Sequence, residues 1–161
     1  MKVKDVMTQS AVCCGEETNV GRAVELLWAR NCGILPVTGI DGKVRGVVTD
    51  RDICIAMGTR NRLPGDVCVS EIMSSNVVSC KANDDIHEAL STMAEKKVRR
   101  LPVLNNDGFP VGILSMDDII THGDLNKWQG FCELSSEEIV RALKRLYSAD
   151  LAAVSAAAVA A

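Results

Sequence analysis

Residues 35–53 read LPVTGIDGKVRGVVTDRDI, and residues 101–119 read LPVLNNDGFPVGILSMDDI. Each stretch contains an apolar run, an Asp-Gly pair, a second apolar run and then a hydroxyl residue three positions before an aspartate. Two apolar runs separated by Asp-Gly are typical of a β-hairpin. The spacing of hydroxyl and carboxylate predicts the start of a helix. Each stretch therefore predicts two strands followed by a helix.

The similarity extends well beyond these two stretches. Residues 3–53 align with residues 69–119 at a constant offset of 66, without a gap. Identical residues occur along the whole alignment, from Val3 and Val69 at its start to Ile53 and Ile119 at its end. A register kept over about 50 residues indicates two copies of one supersecondary unit.

Both copies show the same succession of hydrophobic patterns. An extended stretch precedes a helix with apolar residues at helical spacing, and two strands and a second helix follow. The first helices are predicted at residues 20–30 and 86–96, and the strands at residues 34–38, 44–48, 100–104 and 111–114. A βαββα unit exposes one sheet face that it cannot cover alone. We therefore predict an α/β (α+β) fold in which two such units pack face to face with pseudo-two-fold symmetry.

The repeats divide the chain into four predicted regions. Residues 1–60 form the first copy, residues 61–66 a linker, residues 67–122 the second copy, and residues 123–161 a C-terminal helical extension with an alanine-rich tail. Within the extension, Ser135-Ser136 followed by Glu137-Glu138 predicts a capping box before an apolar stripe. This stripe either packs on its own domain or a second copy, or it docks on another protein.

Composition excludes several classes of protein. The 161 residues are 47% hydrophobic and 24% charged, so the chain can bury a core without a metal or disulfide. A formal net charge of -3 and an aromatic content of 3% argue against nucleic acid as a partner. No stretch approaches the roughly 18 apolar residues that cross a bilayer, so we expect no membrane association.

The cysteines and histidines suggest neither disulfides nor a metal site. Seven cysteines are present without any C-x-x-C spacing and without a secretory segment, so we expect reduced thiols in a cytoplasmic protein. Cys13 and Cys14 are adjacent, which points their side chains to opposite faces of a strand and favours core packing. His87 and His122 lack the spacing of metal ligands.

The repeated Thr49-x-x-Asp52 and Ser115-x-x-Asp118 pattern has two interpretations. It is a plain capping box, in which hydroxyl and carboxylate accept backbone N–H groups. Alternatively, the carboxylate accepts the two hydroxyls of a ribose while the helix N-terminus attracts phosphate, and the hydroxyl caps and contacts ligand together. No nucleophile with an identifiable base accompanies the pattern, so we predict no catalytic site.

Taken together, these motifs resemble a tandem pair of CBS domains, also called a Bateman module. The matching segments are VKDVMT and VSEIMS at the starts of the copies, ILPV and RLPV in their middle strands, and IDGKVRGVVTDRDI and NDGFPVGILSMDDI at their ends. The resemblance covers roughly residues 1–120. It implies a ligand that contains adenosine, with AMP as the first expectation and ATP or NAD as alternatives, and no required cofactor. It also implies that Asp52 and Asp118 hold the ribose hydroxyls.

In similar pairs, each cleft takes its aspartate from one repeat and its adenine wall and basic residues from the other. The resemblance therefore implies two clefts. The first would be lined by Val47, Thr49, Arg51 and Asp52 together with Val77, Val78, Arg99 and Arg100. The second would be lined by Ile113, Ser115 and Asp118 together with Thr8, Ala11 and Val12.

The two clefts are expected to differ in charge. Arg99 and Arg100 suit a phosphate group, although a solvated basic helix end is the alternative. The first copy has Gly33 and Ile34 at the corresponding positions. We therefore expect the second cleft to lack a phosphate clamp and, with Asp117 adding repulsion, to bind anions more weakly.

These features predict a regulatory sensor without catalytic activity. Binding of an adenine nucleotide would change the geometry between the repeats or within a homodimer, and an unidentified effector protein would read the change. The alternative is a ligand-free scaffold that docks on an enzyme or transporter through its C-terminal helix. A nucleotide hydrolase is a third interpretation, against which the lack of a Gly-rich phosphate loop or metal-ligand cluster counts.

Overall fold

The computed structural model describes residues 1–123 and 134–159, so part of the predicted extension, residues 124–133, lies outside the described residues. The helices are α1 (Val20–Ala29), α2 (Asp50–Arg60), α3 (Ile86–Lys96), α4 (Met116–Gly123) and α5 (Ser136–Val159). The strands are β1 (Thr8–Gln9), β2 (Cys14–Gly15), β3 (Ile34–Thr38), β4 (Val44–Thr49), β5 (Cys80–Lys81), β6 (Arg100–Leu104) and β7 (Pro110–Ser115). Short 3₁₀ turns lie at Val3–Asp5, Pro64–Asp66 and Val69–Glu71.

The first helix of each copy buries its apolar face, as predicted, and begins at a side-chain cap that was not predicted. The Asn19 side chain accepts a hydrogen bond from the Arg22 backbone N–H at 2.8 Å, and Asp85 accepts one from the His87 N–H at 2.9 Å. These bonds satisfy amide groups that have no partner within the helix. The buried apolar residues of α1 and α3 are Val20, Ala23, Leu27, Ile86, Ala89, Leu90, Met93 and Ala94.

The two Asp-Gly pairs form the predicted hairpin turns. Gly42 has a φ of +77° and Gly108 a φ of +89°, a backbone conformation that glycine adopts without the steric cost of a Cβ atom. They connect the antiparallel pairs β3–β4 and β6–β7. β2 and β5 add in parallel to the outer edges of β3 and β6.

The two copies exchange their first residues. β1, at the start of the first copy, pairs antiparallel with β7 of the second copy, with Thr8 opposite Ile113. In return, Ser74 at the start of the second copy forms a bridge with Val47 of β4. These two contacts are equivalent at the repeat offset of 66. The sheets are therefore β2-β3-β4 and β1-β7-β6-β5, and each contacts the opening segment of the other copy.

The hydrophobic cores follow this exchange. Val3 and Val6 are buried in the core of the second copy, together with Leu101. Val67 and Val69 are buried in the core of the first copy. Each hydrophobic core therefore combines most of one sequence copy with the first residues of the other copy. The architecture is the predicted α+β fold of two βαββα repeats related by pseudo-two-fold symmetry, followed by a C-terminal helix.

The C-terminal helix packs on its own domain. Ile139, Ala142 and Leu146 of α5 are buried in the core of the second copy, against α3. Ser135 and Glu138 form the predicted capping box, with the Ser135 N–H and hydroxyl donating to the carboxylate at 2.9 and 2.7 Å. The first of the two alternatives for the stripe is therefore confirmed.

The buried cysteines behave as core residues. Burial raises the pKa of the Cys14 thiol to about 11, with a further contribution from Cys13. Burial, followed by the charge of Asp84, raises the pKa of Cys80 to about 12. Both thiols are therefore protonated near neutral pH and are poor nucleophiles. Cys132 lies outside the described residues.

Neither a membrane-spanning helix nor a cluster of metal-ligating side chains occurs among the described residues. None of the helices there is both long enough and apolar enough to cross a bilayer. In the same part of the chain, no group of three or more His, Cys, Asp or Glu side chains is arranged to hold a metal ion.

Candidate functional site

Among the described residues, one cavity between the repeats lies at the N-terminus of α2 and another at the N-terminus of α4. The first, cavity A, has a volume of about 270 Å³, and the second, cavity B, about 490 Å³. Cavity A is lined by Val47, Thr49, Arg51, Asp52, Val78, Arg99 and Arg100 from the predicted set. Cavity B is lined by Thr8, Ala11, Val12, Ile113, Ser115 and Asp118, which is the whole set predicted for the second cleft.

Val77 lies outside the lining of cavity A, unlike its neighbour Val78. At the repeat offset, Val77 and Val78 correspond to Ala11 and Val12, which both line cavity B. The two cavities therefore differ at this position.

The Thr49–Asp52 pair forms the predicted capping box at the start of α2. The Thr49 backbone N–H and hydroxyl both donate to Oδ2 of Asp52, at 2.9 and 2.6 Å, and the Asp52 N–H donates to the Thr49 hydroxyl at 3.2 Å. Ser115 and Asp118 repeat this geometry at the start of α4, with distances of 2.8, 2.6 and 3.0 Å. The box accounts for one oxygen of each carboxylate.

The second oxygen of each carboxylate is used differently. Oδ1 of Asp118 accepts a hydrogen bond of 3.4 Å from the Thr8 hydroxyl across the repeat interface. Within the described part of the chain, Oδ1 of Asp52 accepts none. An ionised carboxylate can accept further donors on such an oxygen. Capping and ligand binding are therefore compatible roles for the same aspartate.

The charges around the two cavities differ. Cavity A is lined by four cationic residues and two aspartates, namely Arg51, Lys97, Arg99, Arg100, Asp50 and Asp52. Two arginines and two aspartates line cavity B: Arg30, Arg100, Asp117 and Asp118. Cavity A thus has an excess of positive charge, whereas the charges of cavity B balance.

The second cleft was expected to lack a phosphate clamp, yet two arginines line it. Arg30 at the end of α1 and Arg100 from the other repeat both line cavity B. Gly33, which takes the place of Arg99, leaves a space that the Arg100 guanidinium approaches. Cavity B is lined by Asn31 and Gly33, whereas the equivalent residues of cavity A are the longer Lys97 and Arg99.

Sequence reasoning missed other lining residues. Ser74 and Asn76 line cavity A, and Gln9, Ser10 and Arg30 line cavity B. A signal existed for Ser74, because Thr8 was predicted for the second cleft and Ser74 is its counterpart at the repeat offset. Arg30 lies at the same place as Lys96 in the second copy, just before the LPV strand.

The chain matches a known domain family. The family model of the CBS domain matches residues 3–58 and 69–124. The CBS domain-containing protein YhcV of Bacillus subtilis is 32% identical over 128 residues, which cover 80% of this chain and 89% of that protein. Hypoxic response protein 1 of Mycobacterium tuberculosis is 32% identical over 119 residues, covering 74% and 82%.

Solved structures share the fold. The crystal structure of Hypoxic Response Protein I with two coordinated zinc ions has a TM-score of 0.69 at 31% identity, covering 76% of this chain and 98% of that one. The CBS domain pair of protein MJ0100, crystallised with 5′-methylthioadenosine and S-adenosyl-L-methionine, has a TM-score of 0.70 at 23% identity, covering 76% and 94%. The chain therefore belongs to the CBS domain family and contains two CBS domains in tandem.

Proposed function

We propose that the chain is a regulatory module without catalytic activity, which binds adenine nucleotides or related adenosyl compounds in cavities A and B. The main support is the repeated combination of a capping aspartate from one repeat with an arginine from the other at a single cavity. A carboxylate can accept both hydroxyls of a ribose, and a guanidinium binds phosphate through paired donors. The adenosyl ligands of the MJ0100 pair, which has this fold, support the same ligand class.

The charge difference suggests a division of ligands. We expect cavity A, with its excess of cationic residues, to favour phosphorylated ligands such as AMP, ATP or NAD. Cavity B has balanced charges and a larger volume, so we expect it to accept ligands with less negative charge as well. No cofactor is required for this function. A reducing cytoplasmic location is part of the proposal, supported by the free thiols of the six described cysteines.

A ligand that spans a cavity contacts both repeats and favours the spacing that fits it. Arg99 and Arg100 also line a small space beside the C-terminal helix, together with Leu143 and Tyr147 of α5. An anion that draws these arginines into cavity A would move them away from this space beside α5. We propose that an effector protein reads this change.

Calorimetry with AMP, ADP, ATP, NAD and S-adenosylmethionine tests the proposal. At least one of these compounds is expected to bind with a Kd well below 1 mM, and mass spectrometry of small molecules released from the purified protein is expected to find the same class. Binding of none of the five below about 1 mM, which corresponds to about 4 kcal/mol, would contradict the sensor function and favour a scaffold.

We also propose that the module is a homodimer joined through the helical face of the first repeat. On α1 and α2, the side chains of Val24, Trp28 and Ile55 are 44%, 88% and 55% exposed. On the second repeat, α5 packs against α3, and the counterparts of Val24 and Trp28 there, Leu90 and Ala94, are buried. An exposed apolar patch of this kind is typical of an interface.

Trp28→Glu is expected to convert the dimer into a monomer of 17.3 kDa, because a charge at the centre of an apolar interface loses its hydration without a partner. Light scattering after gel filtration measures the mass. Ile40→Glu is the control, since Ile40 is fully exposed at the β3–β4 turn, away from this face. A monomeric unsubstituted protein, or an unchanged dimer of Trp28→Glu, would contradict the proposal.

A further inference from the structure

Arg100 crosses from the second repeat to the first. It is the first residue of β6, and its guanidinium lies against Gly33, at the start of β3 in the other repeat. A Cβ atom placed on Gly33 would lie 3.0 Å from Cζ and from both terminal nitrogens of Arg100. The guanidinium therefore occupies space that any larger residue at position 33 would fill.

This position brings Arg100 into the lining of both cavities. The neighbouring Arg99 lines cavity A but not cavity B, and Arg30 lines cavity B but not cavity A. Neither Arg99 nor Arg100 forms an ion pair or a side-chain hydrogen bond within residues 1–122 and 134–148. The Arg100 guanidinium is thus a cation without an anionic partner there, placed between two candidate ligand sites.

We propose that Arg100 couples the two cavities negatively, so that an anionic ligand in one weakens the binding of an anionic ligand in the other. The inference rests on the proposed function and adds a rule for how its two sites interact.

The physical reason is that one guanidinium cannot serve two phosphates fully. Its five N–H donors lie in a single plane, and their position is set by one side-chain conformation. A phosphate in cavity A that draws these donors leaves cavity B with Arg30 alone, facing Asp117 and Asp118. The bound anion also neutralises Arg100 and repels a second anion close by. Both effects lower the affinity for the second ligand.

An uncharged ligand provides a control within the same cavities. Adenosine carries the ribose diol but no phosphate, so its binding depends on Asp52 and Asp118 rather than on the guanidinium. Coupling is therefore expected with AMP and not with adenosine.

The test is calorimetry of AMP and adenosine binding to the full chain and to variants with one cavity disabled. Asp118→Ala disables cavity B and keeps cavity A functional, whereas Asp52→Ala disables cavity A and keeps cavity B functional. Each variant therefore reports the intrinsic AMP affinity of its functional cavity. In the unsubstituted chain, one cavity fills first, and the second AMP then binds to the other cavity. Its affinity there is expected to be about 10-fold weaker than the affinity of the same cavity in the single-cavity variant, which is within the usual range of coupling between sites.

Substitution of the two neighbouring arginines separates their roles. Arg100→Gln is expected to weaken AMP binding at both cavities and to abolish the coupling. Arg99→Gln, the matched control, is expected to weaken cavity A only and to preserve the coupling. Gly33→Ala retains every charge but forces the guanidinium to move by a few tenths of an ångström, so it is expected to weaken AMP binding in cavity B.

The outcomes distinguish this inference from the proposed function. If AMP and adenosine bind at both cavities and the two AMP sites are independent, the coupling is disproved while the sensor function stands. The same holds if Arg100→Gln alters one cavity alone. If neither compound binds to any form of a chain that melts cooperatively, the proposed function fails and the coupling fails with it.

Discussion

Asp52→Ala is expected to lower the affinity of cavity A for an adenosyl ligand by about 10- to 150-fold, which corresponds to about 1.5–3 kcal/mol. This is the usual contribution of a hydrogen bond to a charged group. Oδ2 of Asp52 is engaged by the Thr49 backbone N–H and hydroxyl, whereas Oδ1 has no protein donor among the described residues. A ligand diol would complete the hydrogen bonding of this oxygen. Titration calorimetry with AMP measures the loss.

A second capping box separates ligand binding from helix capping. Ser135 and Glu138 at the start of α5 have the same hydrogen-bond geometry as Thr49 and Asp52, but Glu138 lines neither cavity. Glu138→Ala is therefore expected to weaken a helix N-terminus without changing AMP affinity. Equal AMP affinity in Asp52→Ala and the unsubstituted chain would reduce Asp52 to a simple cap.

Gly112→Ala is expected to destabilise the fold by about 1–3 kcal/mol, the usual range for an overpacked core site. The added Cβ would lie 2.7 Å from the Thr8 backbone oxygen and 2.9 Å from Sδ of Met7. The Thr8 oxygen belongs to β1, the exchanged strand that pairs with β7, so relief of the clash requires β1 to move. Urea denaturation measures the change as a lower midpoint at constant slope.

Gly58→Ala is the matched control for this prediction. Gly58 lies within α2 and has nothing within 4 Å of its added Cβ, so alanine there is expected to stabilise the chain by about 0.5–1 kcal/mol. Gly112→Ala is also expected to disturb cavity B through Thr8 and to spare cavity A. An unchanged denaturation midpoint would show that β1 is not held as tightly as the β1–β7 pairing requires.

Much of the fold was predictable because its signals are local. The periodicity of α3 and the Asp-Gly pairs at the two hairpins depend on residues close together in sequence, and the structure has these elements where they were predicted. The spacing of Thr49 and Asp52 similarly predicted the capping box. The internal repeat then extended each local prediction to its counterpart 66 residues away.

The lining of the candidate site was less accessible to prediction. Comparison of the copies places Gly33 opposite Arg99, and this suggested that the second cleft lacks a phosphate clamp. It could not show that the side chain of Arg100 reaches across to Gly33, because that depends on the distance between the repeats and on the space left by a missing side chain.

The order of local patterns along the chain was enough to specify two βαββα units, with a capped helix and an acidic residue at the end of each hairpin. Which core each opening segment joins is visible only in the folded protein, where Val3 packs in the second copy and Val69 in the first. Periodicity specifies which face of a short segment is apolar, but the two copies have similar segments and similar cores. The choice between them depends on long-range contacts, such as the close approach of Thr8 to Gly112, which no local pattern encodes.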